Sequence, residues 1–355
     1  MADLNLSRAT TTEISVPDFI VEAKALDTEN TQGETFWYFP EATTNFGYYF
    51  SIPEINSSAN SLATWTTGKG IDFQGNTMTE VDMERIIGIG NDSFQTILWN
   101  HEVTKLVVGD AFIEIVKKDT KIINLKPISP ERVRIVVSGG LIKRYDVWDS
   151  KKWVKIMPEK MIHSSNNRIG DQIHGTSQID ACKWVIDARN EALITNRMIE
   201  KRGRALGIVY YKTNNTGKIS YANEQIEKAV KNGQMLGLPE DTAEIKDFPV
   251  KSLQERLNWI RYLENFFYQT FGVPRIIATS EGTSEVGGKI GFLVFEPIYT
   301  RQQSLLEEDF WHQAGIKFKF LRPPTLSGVV AQDEAKNTGQ LGIQPNDMEA
   351  SMTRE

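Results

Sequence analysis

One cysteine, Cys182, stands in 355 residues, so no intrachain disulfide can staple this fold. A chain built without such cross-links fits assembly in a reducing cytoplasm. No apolar run approaches the roughly 20 residues that cross a bilayer as a helix. Residues 1–12 are polar where a secretory leader would carry its apolar segment. Histidine is scarce, with His101, His163, His174 and His312 the full set. None stands at metal-ligand spacing from Cys182 or from another histidine, which leaves a zinc site without support. A surplus of positive charge is missing too, the formal net charge being −6. Sequence-reading DNA binders present a basic face, because phosphate neutralisation supplies most non-specific affinity. The balance here suits either an acidic enzyme or a sleeve through which a duplex slides with little friction.

What is present is ordinary soluble composition, 40% hydrophobic and 24% charged, at a length that supports two or three domains. Residues 1–45 read as a polar, irregular surface arm. Ile52, Ile55, Ala59, Leu62 and Ala63 recur at helical spacing, and Gly68 and Gly70 end that helix. Phe94, Ile97, Leu98, His101 and Leu106 predict another, stopped by Gly109. The period then changes to strands at 111–116, 122–125, 133–137 and 141–148, continuing through 153–157. Gly139-Gly140 reads as a hairpin turn between two of them. This predicts an α+β unit with an antiparallel sheet.

From 176 to 202 neither proline nor glycine intervenes, and Ile179, Cys182, Val185, Ile186, Leu193 and Met198 keep helical spacing. Thr176 or Ser177 is placed to cap the start, and about 27 residues would make a rod of about 40 Å. A small βαβ-like insert follows, with strands at 207–212 and 244–248 around a helix at 220–233. A second long helix spans 253–271 and ends at Gly272-Val273-Pro274. The small-residue stretch ATSEGTSEVGG, 278–288, reads as a mobile loop. A helix over 290–318 should kink at Pro297, a strand covers 317–321, and the polar tail offers one helical turn at 332–337.

Several local patterns invite chemistry and are outweighed. GTSEVGGK at 282–289 fails the phosphate-loop pattern GxxxxGK[ST]: Gly288 stands where lysine belongs, Lys289 falls one late, and Ile290 replaces the hydroxyl. Glu281 and Glu285 read as solvated acids, Cys182 as a buried structural thiol, and His163 as a hydrogen-bonded residue at a sheet edge. Lys201, Arg202 and Arg204 either complement a helix C-terminus or form a ring of cations near phosphates. Trp259, Phe266, Phe267 and Tyr268 fit packing between helices better than base stacking, because a paired duplex presents its backbone.

The order of these elements, with YYFSIPEINSSANSLA (48–63), VVGDAFIEIV (107–116), LKPISPERV (125–133), EKMIH (159–163), HGTSQIDACKWVI (174–186), GIVYY (207–211), FGVPRII (271–277) and QLGIQPNDMEAS (340–351) at its joints, resembles the portal proteins of tailed double-stranded DNA viruses. The resemblance implies an N-terminal arm (1–47), a wing (48–175), stem helices (176–204 and 251–274) and a clip (205–250). It further implies a tunnel loop (275–289), a kinked helix returning to the wing (290–327) and a short tail with a reduced or absent crown (328–355).

It also implies a twelve-fold ring at one capsid vertex, assembled in the host cytoplasm and carried in the virion. Twelve helices about 10 Å across, side by side, leave a lumen of roughly 28 Å, enough for a duplex. Thr279, Ser280, Glu281, Gly282, Thr283, Ser284, Glu285, Gly287, Gly288 and Lys289 are then the candidate DNA-facing loop. Asp187, Asn190, Glu191, Arg197 and Lys201 are the candidate channel lining. Tyr210, Lys212, Asn214, Lys218, Glu224 and Lys228 form the candidate docking face. Partners implied are double-stranded DNA without sequence preference, the large terminase subunit, the major capsid protein and head–tail adaptors, with no membrane. No cofactor, metal or catalytic group is expected. The alternatives are another ring-forming head–tail protein and an acidic enzyme with a lid loop.

Overall fold

Apolar residues alternate or run together in segments of five to nine along the first half of the chain, and these become strands. A computed structural model describes residues 28–29, 34–75, 77–119, 121–202, 207–212, 214–232, 243–247, 253–279 and 285–321. The chain enters through β1 (Thr28–Glu29) and β2 (Thr35–Trp37), then α1 (Ala42–Ser51), α2 (Pro53–Thr67), β3 (Ile71–Phe73), α3 (Thr77–Glu84) and α4 (Phe94–Val108). Strands β4 (Asp110–Lys118), β5 (Lys121–Ile128), β6 (Val133–Ser138), β7 (Leu141–Asp149), β8 (Lys152–Ile156) and β9 (Met161–Ser165) follow. Two antiparallel sheets result, ordered β5-β4-β9 and β1-β2-β6-β7-β8. Phe112, Ile135, Tyr145 and Val147 close one core between them. The β6–β7 turn carries Gly139 and Gly140 at φ +60° and +77°, the pair of positive values a tight hairpin needs.

The second half is helical. After a 3-10 turn (Asp180–Cys182) come α5 (Lys183–Arg202), β10 (Gly207–Tyr211), α6 (Thr216–Asn232), β11 (Ala243–Asp247), α7 (Leu253–Phe271), α8 (Arg275–Thr279), α9 (Glu285–Ala314) and β12 (Phe318–Phe320). Helices α5 and α7 lie against each other, with α7 also packed on α2. Their common core holds Ile55, Leu62, Val185, Leu263, Phe267 and Phe295. Strand β12 pairs with β3, so the end of the described chain returns to its beginning. Lys105 Nζ donates to Gln302 Oε1 at 3.0 Å, and Gln313 brackets the His163 backbone at 2.7 and 2.9 Å. These bonds fasten the later half of α9 to α4 and β9.

Five features depart from the sequence reading. Part of the expected arm is built into the sheet, because Thr35, Phe36 and Trp37 pair with Val137, Val136 and Ile135, and Glu34 is buried against Arg144. The first long helix starts at Lys183, since the preceding backbone is bonded elsewhere: Thr176 N–H to Asn166 and Gln178 N–H to Leu106. The insert's strands pair antiparallel, Gly207 with Asp247, where a βαβ unit would be parallel. Gly287 and Gly288 lie inside α9, which ends at Ala314. A Cβ on Gly288 would sit 3.2 Å from Ile276 Cδ1, so the glycine permits close approach of α8 and α9. β3 and α3 fall in a stretch that periodicity left unassigned. The expected turn at 332–337 lies outside the described residues.

Candidate functional site

Helices α5 and α7, of 20 and 19 residues, make rods of about 30 Å. Their buried stripes, Val185 and Ile186 on one and Ile260, Leu263 and Phe267 on the other, face the core. Arg256 on α7 ties them further out, donating to Asn196 Oδ1 and Glu200 Oε1, both at 3.0 Å. At the near end Cys182 Sγ donates to Thr270 Oγ1 at 3.1 Å, and burial raises its thiol pKa. Arg189 meets both oxygens of Glu54 on α2 at 2.6 and 2.8 Å, anchoring α5 to the helical core.

The outward surface of this pair is not simply polar. Asp187, Asn190, Glu191 and Arg197 are exposed on α5, and Lys201 lies in its last turn. Between them at helical spacing stand Ile194 and Met198, 58% and 45% exposed. On α7, Trp259 and Tyr262 stack at 5.6 Å while about half exposed. Tyr262 meets Phe266 edge-on at 5.1 Å, and Phe266 meets Trp184 of α5 at 5.4 Å. Four rings thus form one continuous ridge across both helices.

The small unit between α5 and α7 carries its candidate residues on the surface. Tyr210, Lys212, Asn214 and Lys218 are exposed, and Glu224 pairs with Lys228 at 2.6 Å. Asn215 Oδ1 accepts from the Gly217 N–H at 3.0 Å and caps α6. Of the candidate loop, Thr279 closes α8 and Glu285, Gly287, Gly288 and Lys289 open α9. Ser280, Glu281, Gly282, Thr283 and Ser284 lie outside the described residues, as does Arg204. The helix α8 that precedes this gap meets α2 and α7.

Sequence reasoning missed the polar hub at the start of β4. Asp110, the first residue of β4, is fully buried. Its Oδ1 accepts from His163 at 2.8 Å and from Ser165 Oγ at 2.7 Å, and its Oδ2 from the Gly175 N–H at 2.9 Å. His174 Nδ1 stands 3.5 Å from Oδ2. Burial alone would raise this carboxyl, but the hydrogen bonds and charge of His163 and His174 hold it well below the usual range. A nucleophile relay needs serine and aspartate on opposite imidazole nitrogens. Here Ser165, at 3.2 Å, and Asp110 both meet Nε2, while Nδ1 faces Tyr145 at 3.1 Å. The hub joins β4 and β9 to the segment around Gly175 that leads into α5. An acid opening a strand just after a helix-ending glycine was its one visible signal.

No protein-family model matches the sequence, and no curated protein matches it either. Solved structures do. The chain is similar to a protein in "Neck of native GTA particle computed with C12 symmetry", at 15% identity over 87% of this chain and 91% of that one, with a TM-score of 0.62. It is similar to one in the virion of the native gene transfer agent particle, at 16% identity over 85% and 89%, TM-score 0.61. It is also similar to an HK97 family phage portal protein from Corynebacterium diphtheriae, at 12% identity over 77% and 94%, TM-score 0.52. The architecture is thus α+β and portal-like. The fold of this chain is that of a phage portal subunit.

Proposed function

We propose that this protein is a viral portal subunit, copies of which form a ring at one capsid vertex and conduct double-stranded DNA in and out. The observation that carries the reading is the ridge Trp184–Phe266–Tyr262–Trp259 across α5 and α7. Exposed apolar area of that kind, continuous across two elements, is the mark of a surface that another chain covers. In this reading, which the portal-like fold supports, copies stand side by side with α5 and α7 inward. Asp187, Asn190, Glu191, Arg197 and Lys201 then line the bore, and the segment 279–289 reaches toward the duplex.

A net charge of −6 per subunit suits passage, because phosphates find no strong attraction to resist sliding. The protein is in this reading a conduit and not an enzyme. The packaging ATPase, the large terminase subunit, docks on the clip face around Tyr210, Lys218 and the Glu224–Lys228 pair. Head–tail adaptors later take the same face, while the wing contacts the capsid protein. Assembly takes place in the host cytoplasm.

Negative-stain electron microscopy of the purified full chain tests the reading, with rings bearing a central hole expected. A monomer at high concentration contradicts it. Deleting residues 280–287 should leave rings intact and impair packaging or DNA retention; loss of rings instead would refute the loop's role.

A further inference from the structure

The five-stranded sheet ends on β8, which pairs with β7 alone and without a bulge. Among the described residues no strand pairs with its other edge. Val154 in the strand is 37% exposed, Met157 just after it 55%, and Trp148, opposite Trp153, 38%. An open edge offers unpaired backbone groups to any extended chain. Lys151 in the leading turn and Lys152 and Lys155 in the strand are exposed, and among the described residues none of the three makes an ion pair. Lysines keep an edge from pairing with another like itself. The same charges favour a strand that carries acids.

The chain supplies such a segment ahead of β1. Residues 13–22, EISVPDFIVE, hold Glu13, Asp18 and Glu22, no basic residue, and five apolar residues between them. Isoleucine, valine and phenylalanine suit a pleated, half-buried surface. Pro17 has no N–H to give, which fits a strand whose far side stays unpaired. The sheet already takes one acid from this part of the chain, because Glu34 meets Arg144 and Lys143 of β7 at 2.8 and 2.6 Å.

Reach and direction both fit. Thr28 pairs with Phe36, and Phe36 with Val136. Traced backwards, β1 therefore points past Trp37 and Ile135, toward the end of the sheet where Val133 pairs with Val147 and Val147 with Val154. From β1 to β8 there are four strand spacings, about 19 Å. The six steps from Thr28 back to Glu22 extend to about 20 Å, enough to bring Glu22 to Lys151 and Lys152. From there back to Glu13 the path follows β8 from Lys152 toward Ile156, so the two strands run antiparallel.

We infer that residues 13–22 add to the open edge of β8 of their own chain and close that side of the sheet. Glu13, Asp18 and Glu22 then stand against Lys151, Lys152 and Lys155. The inference does not rest on the portal reading, because every group in it belongs to one chain.

Carbodiimide, which couples a carboxylate to an amine in contact with it, tests this on the full chain. Peptides joining 13–22 to 151–155 are expected in the band that keeps single-chain mobility on a denaturing gel. The same peptides found only in bands of two or more chains would give the edge to a neighbouring copy and overturn the choice of occupant. Absence of such peptides from every band would overturn the docking itself. Hydrogen exchange gives a second readout. Glu13→Lys, Asp18→Lys and Glu22→Lys together should speed exchange of the β8 amides about tenfold and leave β6 unchanged. Lys151→Glu, Lys152→Glu and Lys155→Glu together should do the same, and the two sets combined should return the rate to that of the parent. Exchange that ignores these charges, or a combined variant no slower than either set, would sink the pairing.

Discussion

Asp110 accepts the backbone N–H of Gly175 at 2.9 Å, and through that bond the start of β4 is tied to the segment that leads into α5. The same carboxylate holds His163 and Ser165 of β9, so three chain segments share one buried charge. Asp110→Asn keeps one acceptor oxygen and turns an NH2 toward donors, leaving either His163 and Ser165 or the Gly175 N–H without an acceptor. We expect a loss of about 3 kcal/mol in urea unfolding at pH 7, the scale for leaving buried donors of a charged hydrogen bond unmet. A loss under about 0.5 kcal/mol, within ordinary surface-mutation scatter, would remove the hub from the account.

Gly175 makes the joint possible by lacking a side chain. A Cβ there would stand 2.1 Å from the Gly109 carbonyl oxygen and 2.7 Å from the Asn166 nitrogen. All of these neighbours are backbone, so nothing can swing aside. Gly175→Ala should destabilise by at least about 1–3 kcal/mol. Gly47→Ala, inside α1 with open space around it, should instead stabilise by about 0.5–1 kcal/mol. Thermal unfolding of the two variants side by side gives the comparison.

The Glu34 carboxylate is held down to about 2, from 4.5, by hydrogen bonds from Arg144 and then Lys143. A carboxylate lowered on folding stabilises fully above its unfolded value and loses that contribution as pH falls through the folded one. Docking of β2 on β6 should therefore weaken between about pH 4.5 and 2. Hydrogen exchange at residues 34–37 should accelerate over that window. In Glu34→Gln the acceleration should already be present at pH 7 and should depend little on acid.

Pro297 lies inside α9 and leaves the Leu293 carbonyl without its ladder donor. Pro297→Ala should restore the bond and stabilise α9 by about 1–3 kcal/mol. Slower hydrogen exchange at residues 295–299 is the expected sign. Unchanged exchange there would mean that packing, not the missing donor, sets the local stability.

Much of this fold could be read from residue patterns because the decisive signals are local. Gly139-Gly140 marked its hairpin, and Gly109 and Gly272, both at positive φ, marked helix ends. What escaped depended on distant partners. Residues 176–182 have helical periodicity, yet the N–H groups of Thr176 and Gln178 go to Asn166 and Leu106, which no window along the chain can show. Gly287 and Gly288 read as breakers, but Gly288 lies where α9 passes close to Ile276. Thr35–Trp37 is too short to announce a strand until Val136 is beside it. For the candidate site, the polar positions on α5 were legible, while the aromatic ridge appeared only when α5 and α7 met. Trp184 and Phe266 are 82 positions apart in sequence and 5.4 Å apart in space.

Trp259→Ser with Tyr262→Ser removes half of that ridge without touching the buried stripe of α7. Sedimentation should then show smaller species than the parent protein, with unchanged circular dichroism. Rings that persist at full strength would shift the copy-to-copy contact to another face.

A cryo-electron microscopy reconstruction of the purified full chain bears most directly on the central claim. Trp184, Phe266, Tyr262 and Trp259 should be covered by the neighbouring copy, around a lumen of about 28 Å. A particle in which those four rings face solvent, or a chain that remains single at high concentration, would contradict it.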